Sequence, residues 1–120
     1  MNESFSREEA ERFLIEIRDT LFSLFEGAED LFGIEACGAY RRGEQDLKEL
    51  DFLITRNDRG SCRHLLVKLL EKLEEKGLVV QQLKDIRFGA SGAAGFQGIA
   101  RLTDPESKCR RIDLHVYLED

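Results

Sequence analysis

The chain has 120 residues, 42% apolar and 35% charged, a size and balance that fit one globular domain and leave no room for a second. One proline, no apolar run approaching about 18 residues and a polar start, MNESFSREEAERF, argue against long linkers, a membrane-spanning helix and a secretory leader, so an intracellular chain, cytoplasmic or nuclear, is expected. Three cysteines without C-x-x-C spacing exclude a disulfide framework and a cysteine zinc site, and a net charge of −6 excludes a broad basic surface for wrapping nucleic acid, so any polynucleotide contact has to be local.

Ser6-Arg7-Glu8-Glu9 has the form of a capping box, in which the serine accepts from the third helical amide and Glu9 reaches back. Phe13, Leu14, Ile17, Leu21, Leu24 and Phe25 then recur at helical spacing as a core-packing stripe, and Gly27 ends the helix. Residues 28–33 read as a short connection. Ile34 to Cys37 is a brief apolar strand running into Gly38, and Leu50 to Thr55 is a second, followed by the turn Asn57-Asp58-Arg59-Gly60.

Ser61 to Lys76 is an amphipathic helix, with Leu65, Leu66, Leu69, Leu70 and Leu73 on one face and Gly77 closing it. Leu78 to Phe88, Gly95 to Leu102 and Arg111 to Leu118 read as strands, separated by the turns GASGAAG (89–95) and TDPESK (103–108). The order predicts an α+β domain over residues 1–120: a mixed five-stranded sheet with two main helices packed on one face.

Alternate residues of a strand share a face. Glu49 and Asp51 therefore point one way and Leu50, Phe52 and Ile54 the other. In the last strand Arg111, Asp113 and His115 oppose Ile112, Leu114 and Val116. If the two strands are neighbours, three carboxylates converge. Three anions at close range repel unless a cation lies among them or one takes a proton. Hard oxygen ligands suit magnesium or manganese better than zinc, and two such ions about 3.5–4 Å apart can clamp both oxygens of a phosphoryl transfer. The alternative is a solvated acidic patch on an exposed sheet face. The loop Gly38-Ala39-Tyr40-Arg41-Arg42-Gly43 fits an anion site, since glycines admit backbone amides close to a phosphate and an arginine adds a planar fork. By itself it could equally be a tight turn with surface arginines.

GAYRRGEQDLKELDFLIT (38–55) resembles the G-S-Y/F-R-R-G…G-D-x-D-V-L-I/L-T signature of family X DNA polymerases, the group of polymerases beta and lambda and terminal transferase. GFQGIARL (95–102) is similar to that family's F-x-G-V-x-x-L strand, and CRRIDLHV (109–116) to its R-R-I/L-D-I strand. The resemblance runs in order from about residue 34 to 118. It implies the polymerase beta-like palm, or nucleotidyltransferase, fold, and nucleotidyl transfer from a nucleoside triphosphate to a DNA 3′-end with two Mg2+ or Mn2+ ions. Glu49, Asp51 and Asp113 match the metal-binding acids, Gly38 and Ala39 the Gly-Ser that contacts the terminal phosphates, and Arg42 the arginine on triphosphate oxygens. Arg111 matches an arginine beside the third acid.

This sequence departs from the family pattern in several places. Lys48-Glu49 replaces Gly-Asp, which lengthens the first carboxylate by a methylene and adds a cation able to pair with an unfilled acid. Ala39 replaces a serine hydroxyl, and His115 stands where arginine or an apolar residue is usual. The chain stops at Asp120, so the resemblance implies weak binding of primer-template by this stretch alone, and the exposed rear of such a palm offers a homodimer surface. Two readings stay open: a nucleotidyltransferase core, and a catalytically silent or engineered palm-like scaffold with a degenerate metal site.

Overall fold

The computed structural model describes residues 5–89, 92–104 and 106–118. Ser6 opens helix α1 (Arg7–Leu24) by accepting from the Glu9 amide at 3.2 Å. The reciprocal half of the expected capping box is not made. Glu9 instead takes a two-pronged ion pair from Arg110, at 2.6 and 3.2 Å, because a bidentate guanidinium is a stronger donor than the cap amide. Gly27, at φ +71°, starts a single-turn helix α2 (Ala28–Leu31) inside what the sequence suggested was a plain connection.

Among the described residues six strands form one sheet, where five were expected. They are β1 (Phe32–Cys37), β2 (Leu50–Arg56), β3 (Val79–Gln82), β4 (Arg87–Phe88), β5 (Ala94–Ala100) and β6 (Arg110–Leu118). The order is β1-β2-β6-β5-β3, with β4 also paired to β5. Only β2 and β6 run parallel; the other pairings are antiparallel. The additional strand arises because the expected run from Leu78 to Phe88 breaks. β3 stays paired with β5 past a register shift between Val79 and Gln81, as far as Gln82 opposite Gly98 and Leu83 N donating to Gln97 O at 2.9 Å; the break falls after Leu83, and pairing resumes at Arg87 opposite Gly95. The expected turns at 89–95 and 103–108 each include residues outside the described set. Their described parts are closed by Gly89 N donating to Ala93 O at 2.8 Å and Leu102 N donating to Ser107 Oγ at 2.9 Å.

Helix α3 (Cys62–Glu75) is capped by Ser61, whose hydroxyl accepts from the His64 amide at 3.0 Å. It ends at Gly77, whose φ of +81° lets Leu78 N return to Leu73 O. Its leucines join Phe13, Ile17 and Leu21 of α1 over one face of the sheet, where Phe52, Ile54, Phe96, Leu114 and Val116 are fully or almost fully buried. Lys76 Nζ donates to the buried Thr20 hydroxyl at 2.8 Å and ties the two helices together. Burying each such aromatic or aliphatic side chain is worth about 1.5–3 kcal/mol, so this face fixes the register of β2 against β6. The opposite face carries no helix among the described residues. Among them, no helix is long and apolar enough to cross a membrane.

At the far end of β2, Arg56 is buried and pairs with Asp58, donates to Ser61 O at 2.7 Å and lies against the Phe32 ring at 5.1 Å. The guanidinium, hydrogen-bonded to Asp58, holds that carboxyl at about 2. A carboxyl depressed below its ordinary value of 3.8 adds stability that is fully present above that value and is lost as pH falls through about 2. Arg56→Ala should cost about 2 kcal/mol by urea denaturation at neutral pH. That is less than the ~3–5 kcal/mol of a fully buried pair, because Asp58 keeps contact with water. The acid-dependent part of the unfolding curve should flatten in the same variant.

Candidate metal and nucleotide site

The register of the open face creates the site. Cys37 lies opposite Asp51, Asp51 opposite Asp113, and Asp113 opposite Gln97, which makes one polar row across four strands. Asp51 and Asp113 are 62 residues apart in sequence and come together only through the parallel pairing of β2 with β6. Two residues along β6, His115 reaches the same place: single donor atoms of Asp51, Asp113 and His115 all lie within 4.8 Å of one another. All three side chains are half-buried.

The electrostatics of the pair are unfavourable as they stand. Burial is the main cause that pushes the Asp51 carboxyl up, followed by the charges of Asp113 and Glu49 and a hydrogen bond with Asp113; His115 acts in the opposite direction. Two carboxylates at such a separation repel by on the order of 3 kcal/mol at an effective dielectric constant of ~20. Asp113 Oδ1 is buried without a hydrogen-bond partner among the described residues, as is Gln97 Oε1 in the next strand. Buried acceptors crowded onto one spot are stable when a cation satisfies them. The donor set therefore fits a divalent ion, with Asp51 and Asp113 as its holders.

Glu49 stands apart from this trio. It lies in the bend just before β2, outside the strand, and turns to Arg111, whose Nε is 3.8 Å from Glu49 Oε2. Both side chains are about half exposed, at 44% and 53%, so the pair is worth at most about 1 kcal/mol and restrains Glu49 weakly. Arg42 is likewise tied to Glu44 by bonds of 2.8 and 3.1 Å, again in the open, at 68% and 50% exposure.

The glycine loop adjoins the acids. A cleft of about 610 Å³ is lined by Gly38, Ala39, Arg42, Glu44, Asp46, Lys48, Glu49 and Asp51. It thus joins the expected nucleotide-binding positions to two of the three expected acids, with Asp113 across the strand. Gly38 sits at φ +62°, and a Cβ there would lie 2.8 Å from Asp51 Oδ2, so only glycine lets this turn approach the carboxylate. The loop closes on itself through Arg42 N to Gly38 O and Glu44 N to Ala39 O, both 3.1 Å. Helix α1 holds it from outside. Arg7 stacks on the Tyr40 ring at 4.0 Å and donates to Tyr40 O and Glu44 O, while Tyr40 OH donates to Glu11 at 2.9 Å.

His115 and Gln97 were not assigned to the site from the sequence. The signal for His115 was present as its position two residues beyond Asp113, on the same face. Gln97 could be placed only once the pairing of β5 with β6 was known.

A mixed sheet covered by helices on one side, with an acid pair at its parallel junction and a glycine turn beside it, defines a polymerase palm. The chain belongs to the DNA polymerase beta palm family, whose pattern matches residues 5–119. It is 30% identical over 81 residues to DNA polymerase lambda of Rattus norvegicus, a match covering 68% of this chain and 14% of that protein. Its fold is similar to that of Leishmania infantum polymerase beta in a ternary gap complex, with a TM-score of 0.78 at 20% identity. That superposition covers 98% of this chain and 39% of the other. The chain thus spans a minor part of the length of either relative.

Proposed function

We propose that this palm is a nucleotidyl-transfer core, which moves a nucleotide from a nucleoside triphosphate to a hydroxyl, with a DNA 3′-end as the acceptor that its family suggests. The observation that carries the proposal is the pairing of Asp51 with Asp113 across parallel strands beside a glycine turn, with Asp113 Oδ1 buried and unpartnered among the described residues. Asp51 and Asp113 hold the cation. Glu49 joins them by leaving Arg111, a change that costs little because that pair is exposed. Gly38 and Ala39 form the floor of the triphosphate cleft, and Arg42 exchanges Glu44 for a phosphate oxygen, again at little cost. Arg111, released from Glu49, is free to neutralise charge at the entrance. Two Mg2+ or Mn2+ ions, when bound, supply the positive charge that favours the attacking alkoxide and the departing pyrophosphate.

The row of Asp51, Asp113 and Gln97 also bears on partners. An interface core is depleted in charged groups, so this face suits a hydrophilic ligand better than the homodimer that its exposure first suggested.

The second reading, a silent palm scaffold, is favoured by one feature: Glu49 and Arg42 are each paired within the protein, with Lys48 in the cleft between them. Calorimetric titration with a deoxynucleoside triphosphate in Mg2+ and in Mn2+ separates the two. The first reading expects metal-dependent binding that strengthens by about tenfold in Glu49→Asp, a fraction of the ~10²-fold that a 1 Å misplacement costs. No heat from either folded protein would overturn nucleotide binding by this stretch of chain alone and favour the scaffold.

A further inference from the structure

We propose that the cation between Asp51 and Asp113 takes the imidazole of His115 as its third protein ligand, making a mixed oxygen–nitrogen site that selects manganese, cobalt or zinc over magnesium. The proposal rests on the reading that this acid pair holds a divalent ion. It does not depend on nucleotide transfer.

The three donors lie within 4.8 Å of one another, whereas Glu49 is engaged by Arg111 at 3.8 Å. His115 is held in position on two sides. Its ring stacks on Tyr117, with an interplanar angle of 25° and centroids 6.4 Å apart. On β5 it lies opposite Gly95, where a Cβ would come within 3.3 Å of His115 Nδ1. A side chain at residue 95 would crowd the imidazole, and glycine leaves it room beside Asp113. Asp113 Oδ1 is itself buried without a hydrogen-bond partner among the described residues, the state of an acceptor that a cation would satisfy.

Ligand type then decides the metal. Magnesium asks for near-ideal octahedral oxygen coordination and gives up its water reluctantly. Imidazole suits zinc and the later first-row ions, and the affinity of a mixed nitrogen–oxygen site rises from manganese towards cobalt and beyond. An imidazole ligand carries no negative charge, so this set crowds fewer anions together than an all-carboxylate trio would.

The test uses the whole chain without nucleotide. Dissociation constants for Mg2+, Mn2+ and Co2+ are measured by calorimetry on the wild type, His115→Gln and Asp113→Asn, and pulsed electron paramagnetic resonance of the Mn2+ complex reads nitrogen coupling directly. The wild type should bind Co2+ at least tenfold more tightly than Mg2+ and show one coupled nitrogen. His115→Gln should lose that coupling, and its affinities for Co2+ and Mg2+ should draw together to within a few-fold, while Asp113→Asn should bind none of the ions well. A Mn2+ complex without nitrogen coupling overturns the role of His115 even if His115→Gln fails to fold. Coupling that persists in His115→Gln would place the nitrogen elsewhere and overturn it equally. A wild type that binds no cation sinks the acid-pair reading as well. Nucleotide binding that fails while the nitrogen signal is present would sink only the transfer proposal.

Discussion

Asp113→Asn should abolish metal-dependent nucleotide binding and, in the metal-free protein, raise the melting temperature. Both effects come from the same crowding. Asparagine keeps the shape of the side chain but removes the charge that Asp51 and Asp113 present jointly to a cation. Replacing even the outer partners of metal ligands costs about 10–100-fold, so loss of a ligand itself should cost at least 10²-fold in affinity. Without metal the charge is a liability. The Asp51 carboxyl lies above its ordinary value of 3.8 because of burial first and the Asp113 charge second. The folded state therefore holds a proton that the unfolded state has already released. Stability falls as pH rises from 3.8 through the raised value, and above it the full penalty remains. In Asp113→Asn that decline should shrink. Thermal melts in chelator across this range measure it, and a variant that is less stable than wild type at neutral pH would show that Asp113 is a structural group. A gain in stability on removing a functional charge is the usual signature of a site kept for binding.

Gly38→Ala should damage the site more than its single methyl suggests. At φ +62° an L-residue costs about 1–2 kcal/mol, and the new Cβ would stand 2.8 Å from Asp51 Oδ2. The carboxylate has to move, and because Asp51 faces Asp113 the cation pocket moves with it. Metal affinity should fall by about 10²-fold, the order expected for a misplacement of 1 Å. Gly43→Ala is the matched control. Its φ is +86° but nothing lies within 4 Å of its Cβ, so it should lose a similar amount of stability in urea and leave metal binding intact. Equal loss of metal binding in both variants would mean that loop strain, not the contact with Asp51, governs the site.

The local half of this architecture follows from the chain read residue by residue. Alternation along β2 and β6 assigns Asp51, Asp113 and His115 to one side and Phe52 and Leu114 to the other, because side-chain direction in a strand has a period of two. The leucine spacing of α3, its serine cap and the glycine after it specify a helix with one buried face, as found. The ordered motifs from Gly38 to Val116 were enough to indicate the palm. What local pattern does not contain is which residue of β2 faces which residue of β6. That register is decided by the packing of Phe52 with Leu114 and Ile54 with Val116 beneath two helices, contacts that span more than 60 residues of sequence. The strand-rich stretch after Leu78 misled for the same reason. Its propensity is continuous, but the chain leaves β5 after Leu83 and pairs with it again only at Arg87. Partner choice among charged groups was equally out of reach. Glu9 pairs with Arg110 at 2.6 Å, and Glu49 lies nearest Arg111, because tertiary folding brings each a guanidinium that is distant in sequence or on another strand. The residue types able to hold a metal are a property of the sequence. Which three of them share one point in space was decided by the sheet, where long-range packing sets the register that short-range periodicity leaves free.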